Sequence, residues 1–309
     1  MFRDHTWEPR ELLAPGERFA GYLVRAVLGA GGSSEVYLAD DPRESRPVSL
    51  KVLEPAESRS PAVRAGFLHE FDILTTVAHR TIVRMYAHGE FRGRLWSAHE
   101  YVDGDTAATL DPAPHHNPNV VRVLGVLADI AEALDHIHGL GLVHLDVKPA
   151  NFLVPRADPA TAKLSDFGTA RWLDRPESPL VVDGRVVGSL PYAAPELVRG
   201  RLVCPATDQY ALACSAVELL TGRPPFPGPN PMMVADAQVH KPPPDVSGRR
   251  HWIPRAVDSI LDRALAKDPA ARYDSCGEPI RLIAAALRDI APVEEHWGHF
   301  RLGFHSRSR

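Results

Sequence analysis

Between Gly21 and about Tyr101 the chain alternates short β-branched or aromatic runs, at 22–28, 36–39, 48–53 and 95–102, with Gly, Pro and Asp punctuation. This pattern predicts short strands joined by turns. One segment breaks it. Over 62–77, Phe67, Phe71, Leu74 and Val77 recur at three- and four-residue spacing, which predicts a helix with those residues on its inner face.

After Asn117-Pro118 the pattern turns helical. Asn119 stands as a cap before Val120, Val123, Leu124, Leu127, Ile130, Ala131, Leu134 and Ile137, and the run stops at Gly139 and Gly141, predicting a long buried helix. Short strands are expected at 152–154 and 162–164, then a Pro- and Gly-broken loop to Pro195. Helices are expected over about 206–221, 254–267 and 277–290. The Pro-rich segment 223–244 reads as a linker by composition, with its MMVADAQV core a candidate short helix. No internal repeat is visible. The fold class is therefore α+β: a small mostly-β half with one helix, then a larger mostly-α half, changing near residue 102. A cleft between unlike lobes is the natural ligand site.

Composition excludes several function classes. With 309 residues, 44% hydrophobic and 24% charged, the chain can bury a core without staples. Its net charge of −4 supplies no cationic field for nucleic acid or anionic lipid. Lys occurs only at 51, 148, 163, 241 and 267, the other basic residues being Arg, so each Lys calls for a reason. The three cysteines, Cys204, Cys214 and Cys276, are odd in number and form no CxxC pair. That argues against a disulfide framework or a structural zinc site and for a reducing compartment. No apolar run approaches ~18 residues and the N-terminus is charged throughout, so neither a membrane span nor a signal peptide is expected. A cytoplasmic location follows as the expectation.

The candidate chemistry begins at 28–37, a glycine-rich turn between two predicted strands (Gly29, Gly31, Gly32) that can bring backbone N–H groups close to an anion. A dinucleotide fingerprint is disfavoured, because that motif opens a helix and Val36-Tyr37-Leu38 reads as strand. Fifteen residues beyond Val36, Lys51 stands in the apolar strand 48–53, a costly place for an ammonium unless it is paired. Glu70, on the predicted helix, is the candidate partner. The stretch Gly141-Leu142-Val143-His144-Leu145-Asp146-Val147-Lys148-Pro149-Ala150-Asn151 then packs a carboxylate, an ammonium and an amide into six residues between a helix end and a strand. Fifteen residues after Asn151 comes Asp166-Phe167-Gly168.

In this order the motifs resemble the eukaryotic-like (Hanks-type) protein kinases, closest to the bacterial Ser/Thr protein kinases, over about 17–290. The resemblance extends to Ala194-Pro195-Glu196, Asp208 and the run Lys267 to Tyr273 containing Arg272. It implies a bilobal kinase-like fold: an N-terminal extension (1–16), an N-lobe (17–100), a C-lobe (101–290) and a C-terminal tail (291–309). It also implies ATP and Mg²⁺ as cofactors, with Mn²⁺ able to use the same ligands, and protein substrates phosphorylated on Ser or Thr. Asp146, Lys148, Lys51 and Glu70 would be the catalytic set, and Asn151 and Asp166 the metal ligands. Leu28, Gly29, Gly31, Ser34, Val36, Ser49, Lys51, Glu100, Val102 and Leu153 would bind the nucleotide, with His99 at the gatekeeper position. Glu196 and Arg272 would form a buried ion pair.

Two departures stand out. Ser34 replaces the third glycine of the phosphate loop, from which weaker ATP affinity is expected. Leu145 replaces the Arg that ordinarily pairs with a phosphorylated activation segment, so activity independent of that phosphorylation is expected. The alternative reading is a catalytically weak pseudokinase or nucleotide-binding scaffold; a pseudokinase would be expected to lack a phosphate Lys, base or metal ligand, and Lys51, Glu70, Asp146, Asn151 and Asp166 are all present. A small-metabolite kinase shares much of this grammar, but Ala194-Pro195-Glu196 and the helical lobe after it point to a protein substrate. The resemblance fills nearly all of the chain, so no sensor domain or membrane anchor is expected. The tail histidines His296, His299 and His305, with Trp297, Phe300 and Phe304, read as a tail packing on the helical lobe in preference to a metal or partner site, and His115-His116 as a loop before the Asn119 helix.

Overall fold

The computed structural model describes residues 12–31, 34–110, 117–157, 161–175, 181–182, 185–186 and 188–288. Gly32, Ser33, His115, His116, Ser178 and the tail 291–309 lie outside the described residues. Strands β1 (Arg18–Phe19), β2 (Tyr22–Ala30), β3 (Ser34–Asp41), β4 (Arg46–Leu53), β5 (Met85–Phe91) and β6 (Arg94–Glu100) form an antiparallel sheet in the order β1-β2-β3-β4-β6-β5. Alternation along β3 and β4 buries Glu35, Tyr37, Ala39, Val48, Leu50 and Val52 on one face, where most pack with Phe19, Tyr22, Trp96 and Ala98. Val36, Leu38, Ser49 and Lys51 line the other, half-exposed face, as the two-residue period requires. Leu13 joins the buried cluster and its N–H donates to Tyr37 Oη at 3.1 Å.

Helices α1 (Pro55–Arg59) and α2 (Pro61–Thr76) follow β4, the second capped by Ser60. The inner face of α2 is Phe67, Glu70, Ile73 and Leu74. This corrects the expectation for Phe71, which is half-buried and lies against the His88 ring at 3.7 Å between centroids. Ile73, Leu74 and Val77 reach the same buried cluster as Leu164 and Phe167, so this helix bears on both halves of the molecule.

The second half begins with β7 (Gly104–Thr106), α3 (Val120–Gly139), β8 (Leu142–Val143), β9 (Phe152–Pro155), β10 (Lys163–Leu164) and β11 (Arg171–Trp172). A two-stranded ladder, β12 (Val181–Val182) with β13 (Arg185–Val186), follows. The helices α4 (Pro195–Val198), α5 (Pro205–Thr221), α6 (Pro231–His240), α7 (Val246–Arg249), α8 (Arg255–Ala264) and α9 (Gly277–Ala286) complete it. Asn119 caps α3 by accepting from Arg122 N at 3.1 Å, as its position predicts. MMVADAQV lies within α6, so the Pro-rich segment is not a bare linker. Helix α5 is buried on nearly every side, and α3, α7 and α8 pack against it. Among the described residues no helix is long and apolar enough to cross a membrane.

Candidate active site

The loop after β8 is held from below by one carboxylate. Asp208, fully buried in the first turn of α5, accepts the N–H of His144 (2.7 Å) and of Leu145 (2.8 Å) and the Nε2–H of His138 (2.8 Å). Burial alone would raise its pKa, but these donors and the neighbouring histidines hold it below the usual carboxylate range. Leu145 sits at φ +67°, a left-handed conformation that costs a non-glycine residue about 1–2 kcal/mol. The two Asp208 hydrogen bonds flanking it offset that cost. Its side chain is buried.

This anchoring sets Asp146 at the cleft. Asp146 Oδ2 accepts Lys148 Nζ at 2.7 Å and Asn151 Nδ2 at 3.2 Å, while its buried Oδ1 finds no hydrogen-bond partner among the described residues. Burial works against the carboxylate, yet the hydrogen bond and charge of Lys148 outweigh it and keep the Asp146 pKa low. Lys148 Nζ also donates to Ser189 Oγ at 2.7 Å. Asn151 Nδ2 bonds the Asp146 carbonyl at 2.8 Å, which leaves its amide oxygen for a ligand. Ser165 donates through both N–H and Oγ to the Asn151 carbonyl, each at 3.0 Å, tying Asn151 to the turn that bears Asp166.

From the sheet, Lys51 Nζ reaches Glu70 Oε2 at 3.7 Å and Asp166 Oδ1 at 3.8 Å. The carboxylate of Glu70 raises the Lys51 pKa against the opposing effect of burial. Glu70 is buried, whereas the Asp166 side chain is 47% exposed, and Asp166 takes φ +64°.

Strand register then lines up the remaining candidates. Val36 lies opposite Lys51 and Lys51 opposite Ser97; Leu38 lies opposite Ser49 and Ser49 opposite His99, so all six side chains share the cleft face. His99 Nε2 is 2.8 Å from Ser97 Oγ. Burial, with Lys51 adding to it, pushes the His99 pKa down to about 3, so its ring stays neutral at physiological pH. Leu28 is exposed on β2, Gly29 lies opposite Val36, and Gly31 N–H donates to Ser34 O at 2.9 Å. Ser34 is absent from the residues with positive φ, so at this position no glycine is required. Glu100 ends β6 with its N–H on Arg84 O at 2.8 Å and its carboxylate 3.1 Å from Lys163, and half-buried Val102 follows. Leu153 alternates with buried Phe152 and Val154 on β9, which turns it away from the lower core.

The family model described as "protein kinase domain" matches residues 22–278. The chain belongs to the protein kinase domain family. Serine/threonine-protein kinase PknJ of Mycobacterium tuberculosis is 40% identical over 279 residues, 89% of this chain and 47% of PknJ. PknF of the same organism is 40% identical over 281 residues, 89% of this chain and 58% of PknF. The chain thus spans about half the length of the curated relatives it matches. The crystal structure of the Mycobacterium tuberculosis PknI kinase domain superposes with a TM-score of 0.68 at 34% identity, over 89% of this chain and 100% of that one.

Lower in the kinase domain, Arg272 grips Glu196 through two bonds of 2.8 and 2.9 Å, with both side chains buried. Arg272 Nη1 and Nε also donate to Ala206 O and Ala266 O, and Thr207 Oγ1 donates to Glu196 Oε1 at 2.9 Å. Sequence reasoning missed the role of His144, whose fully buried ring meets the edge of Phe167 at 4.8 Å and whose Nε2 reaches Ser165 O at 3.2 Å. The signal was available: a His two residues before the candidate base, inside an apolar run.

Proposed function

We propose that this chain catalyses transfer of the γ-phosphate of ATP to Ser or Thr hydroxyls of protein substrates. The observation that carries the reading is Asp146, an ionised carboxylate with one oxygen bonded to Lys148 and the other buried and without a hydrogen-bond partner among the described residues. Such an oxygen suits an incoming hydroxyl, which it can orient and whose proton it can accept. Lys148, already bridging to Ser189, provides a positive charge beside the oxygens of the transferred group, where negative charge accumulates.

The donor set also fits a hard divalent cation. The Asn151 amide oxygen has no hydrogen-bond donor among the described residues and Asp166 has a half-exposed carboxylate, both suited to Mg²⁺ or Mn²⁺. When bound, Mg²⁺ would neutralise phosphate charge. Lys51, held by Glu70, would bind the α and β phosphates. The backbone of Glu100 and Val102 would hold the adenine, and Leu28, Val36, Ser49 and Leu153 its faces. The loop residues Gly29, Gly31 and Ser34 would cover the phosphates.

Activity without activation-segment phosphorylation belongs to the same proposal. Three contacts dock the unmodified segment on the catalytic loop: Lys148 to Ser189, Thr169 Oγ1 to His144 O at 2.9 Å, and Gly188 on Leu145. A Cβ at Gly188 would lie 2.4 Å from Leu145 O, so the backbones meet there directly. Phosphatase-treated protein should keep most of its activity toward a generic substrate; loss of nearly all of it would refute this part. The three free cysteines among the described residues suit a reducing, cytoplasmic setting. The main test is labelled ATP with Mg²⁺ and a generic protein acceptor. Asp146→Asn should lower transfer by about 10²–10⁴-fold, and the low pKa of Asp146 predicts activity that falls only below the usual carboxylate range. Equal transfer by wild type and Asp146→Asn would sink the assignment.

A further inference from the structure

Behind the catalytic loop, three side chains that phosphoryl transfer does not use converge. Asp135 and His138 lie three residues apart on α3, and Cys276 precedes α9; one ligand-capable atom from each lies within 4.8 Å of the other two. His138 Nδ1 is 3.9 Å from Cys276 Sγ. In a tetrahedral zinc site with ordinary Zn–N and Zn–S bonds those atoms stand about 3.6 Å apart, so a shift of a few tenths of an ångström would bring them to the ion. Asp135 is oriented by the N–H groups it accepts, from Cys276 at 2.7 Å and Gly277 at 3.0 Å, and each oxygen retains a second lone pair.

The far side of the histidine is also set for a ligand role. His138 Nε2 donates to the buried Asp208 carboxylate, which fixes the proton on Nε2 and turns the Nδ1 lone pair toward Cys276. A carboxylate on the second nitrogen is the usual outer partner of a metal-binding histidine. One nitrogen, one sulfur and one oxygen favour a borderline-soft ion over Mg²⁺ or Ca²⁺. Glycine at 277 lets the start of α9 lie this close to Asp135: a Cβ there would come 3.1 Å from Asp135 Oδ2 and 2.8 Å from the Arg281 guanidinium.

We propose that Asp135, His138 and Cys276 form a Zn²⁺ site, with water as the fourth ligand. Binding forms the Zn–S bond as the S–H bond breaks, and the proton passes to solvent. Through Asp208 the site lies one residue from the N–H groups of His144 and Leu145, so it shares its anchor with the catalytic loop.

The test uses the full chain, stripped of metal with a chelator and titrated with Co²⁺ as a spectroscopic probe, then with Zn²⁺ against a chromophoric chelator. One equivalent of Co²⁺ should give a thiolate-to-cobalt charge-transfer band that Zn²⁺ abolishes. Cys276→Ser should lose the band and bind Zn²⁺ at least tenfold more weakly, while Cys204→Ser keeps both. The tail histidines have no thiol and cannot produce the band. Zn²⁺ should also raise the Tm of the wild type, a reading that does not depend on any variant folding. A wild type with neither band nor Tm shift, or a band that persists in Cys276→Ser, would overturn the proposal.

Discussion

Two acid–base pairs, one in each lobe, are built in opposite ways. Lys51 and Glu70 stand 3.7 Å apart, with the Lys51 side chain 29% exposed and a second carboxylate, Asp166, at 3.8 Å. Arg272 and Glu196 are closed on each other at 2.8 and 2.9 Å, with further partners from Ala206, Ala266 and Thr207. The lower pair commits four of the five Arg272 N–H groups and both Glu196 oxygens to partners within the core, so it can hold helices together but offers little to a ligand. The upper pair is loose and faces the cleft, leaving the ammonium free to meet a phosphate. A loose pair in a cleft and a closed pair in a core therefore call for different functions, although both are Glu with a basic residue.

Breaking each pair should separate stability from catalysis. Arg272→Ala leaves Glu196 buried without its cation, a loss of about 3–5 kcal/mol, or a fall in Tm on the order of 10 °C. The double variant Glu196→Leu with Arg272→Met should recover much of this, because no charge is stranded. Thermal unfolding of the single and double variants checks both. If Arg272→Ala melts like the wild type, the lower pair is not structural.

Lys51→Met should do the reverse. Glu70 is buried and can take up a proton once its partner is gone, so the Tm should move little. Transfer of label from ATP should fall by about 10²–10³-fold, as when one preorganised charge is removed from a transition state. A large drop in Tm with catalysis retained would mean that the upper pair is a second structural clamp.

The contrast was partly legible in the sequence, because charges in apolar runs at fixed spacing declare themselves. Lys51, Asp146, Lys148, Asn151 and Asp166 could be picked out, as could the helix opening at Asn119, whereas Glu196 and Arg272 were marked only by the resemblance to the kinase family. Strand β5 could not, since none of its residues in MYAHGEF is fully buried and no alternation results. Phe71 was misjudged because Glu70, a charged residue, occupies the inner face of α2, and a hydrophobicity pattern skips it. The Asp135, His138 and Cys276 cluster was invisible for a different reason. Its members are 138 residues apart between His138 and Cys276, and only the packing of α3 on α9 joins them.

The neutral histidine beside the upper pair gives the next effect in size. His99 has its pKa lowered from 6.5 to about 3, so below pH 6.5 the unfolded chain binds a proton there that the folded chain does not. Folded stability should therefore fall as pH drops from 6.5 toward 3, by up to ~1.4 kcal/mol per pH unit from this group. His99→Met should flatten that slope between pH 4 and 6 in denaturant titrations while leaving stability near pH 7 little changed. An unaltered slope would mean that water already hydrates the ring in the cleft.

Ser34 should give the smallest effect. Loss of the third glycine suggested a loop that closes less readily over ATP, and Ser34→Gly should lower the KM for ATP. Yet Ser34 begins β3 opposite Leu53 with an ordinary strand conformation, so the glycine would relieve no strain there. It would instead gain freedom that the ladder must remove, at a cost of roughly 0.5–1 kcal/mol. Those opposing terms leave a decrease in KM of about twofold or less, read from steady-state kinetics at saturating protein substrate. A decrease of tenfold or more would mean that the Ser34 side chain obstructs the nucleotide directly, and that the upper site is closed by this hydroxyl as well as left open by its loose pair.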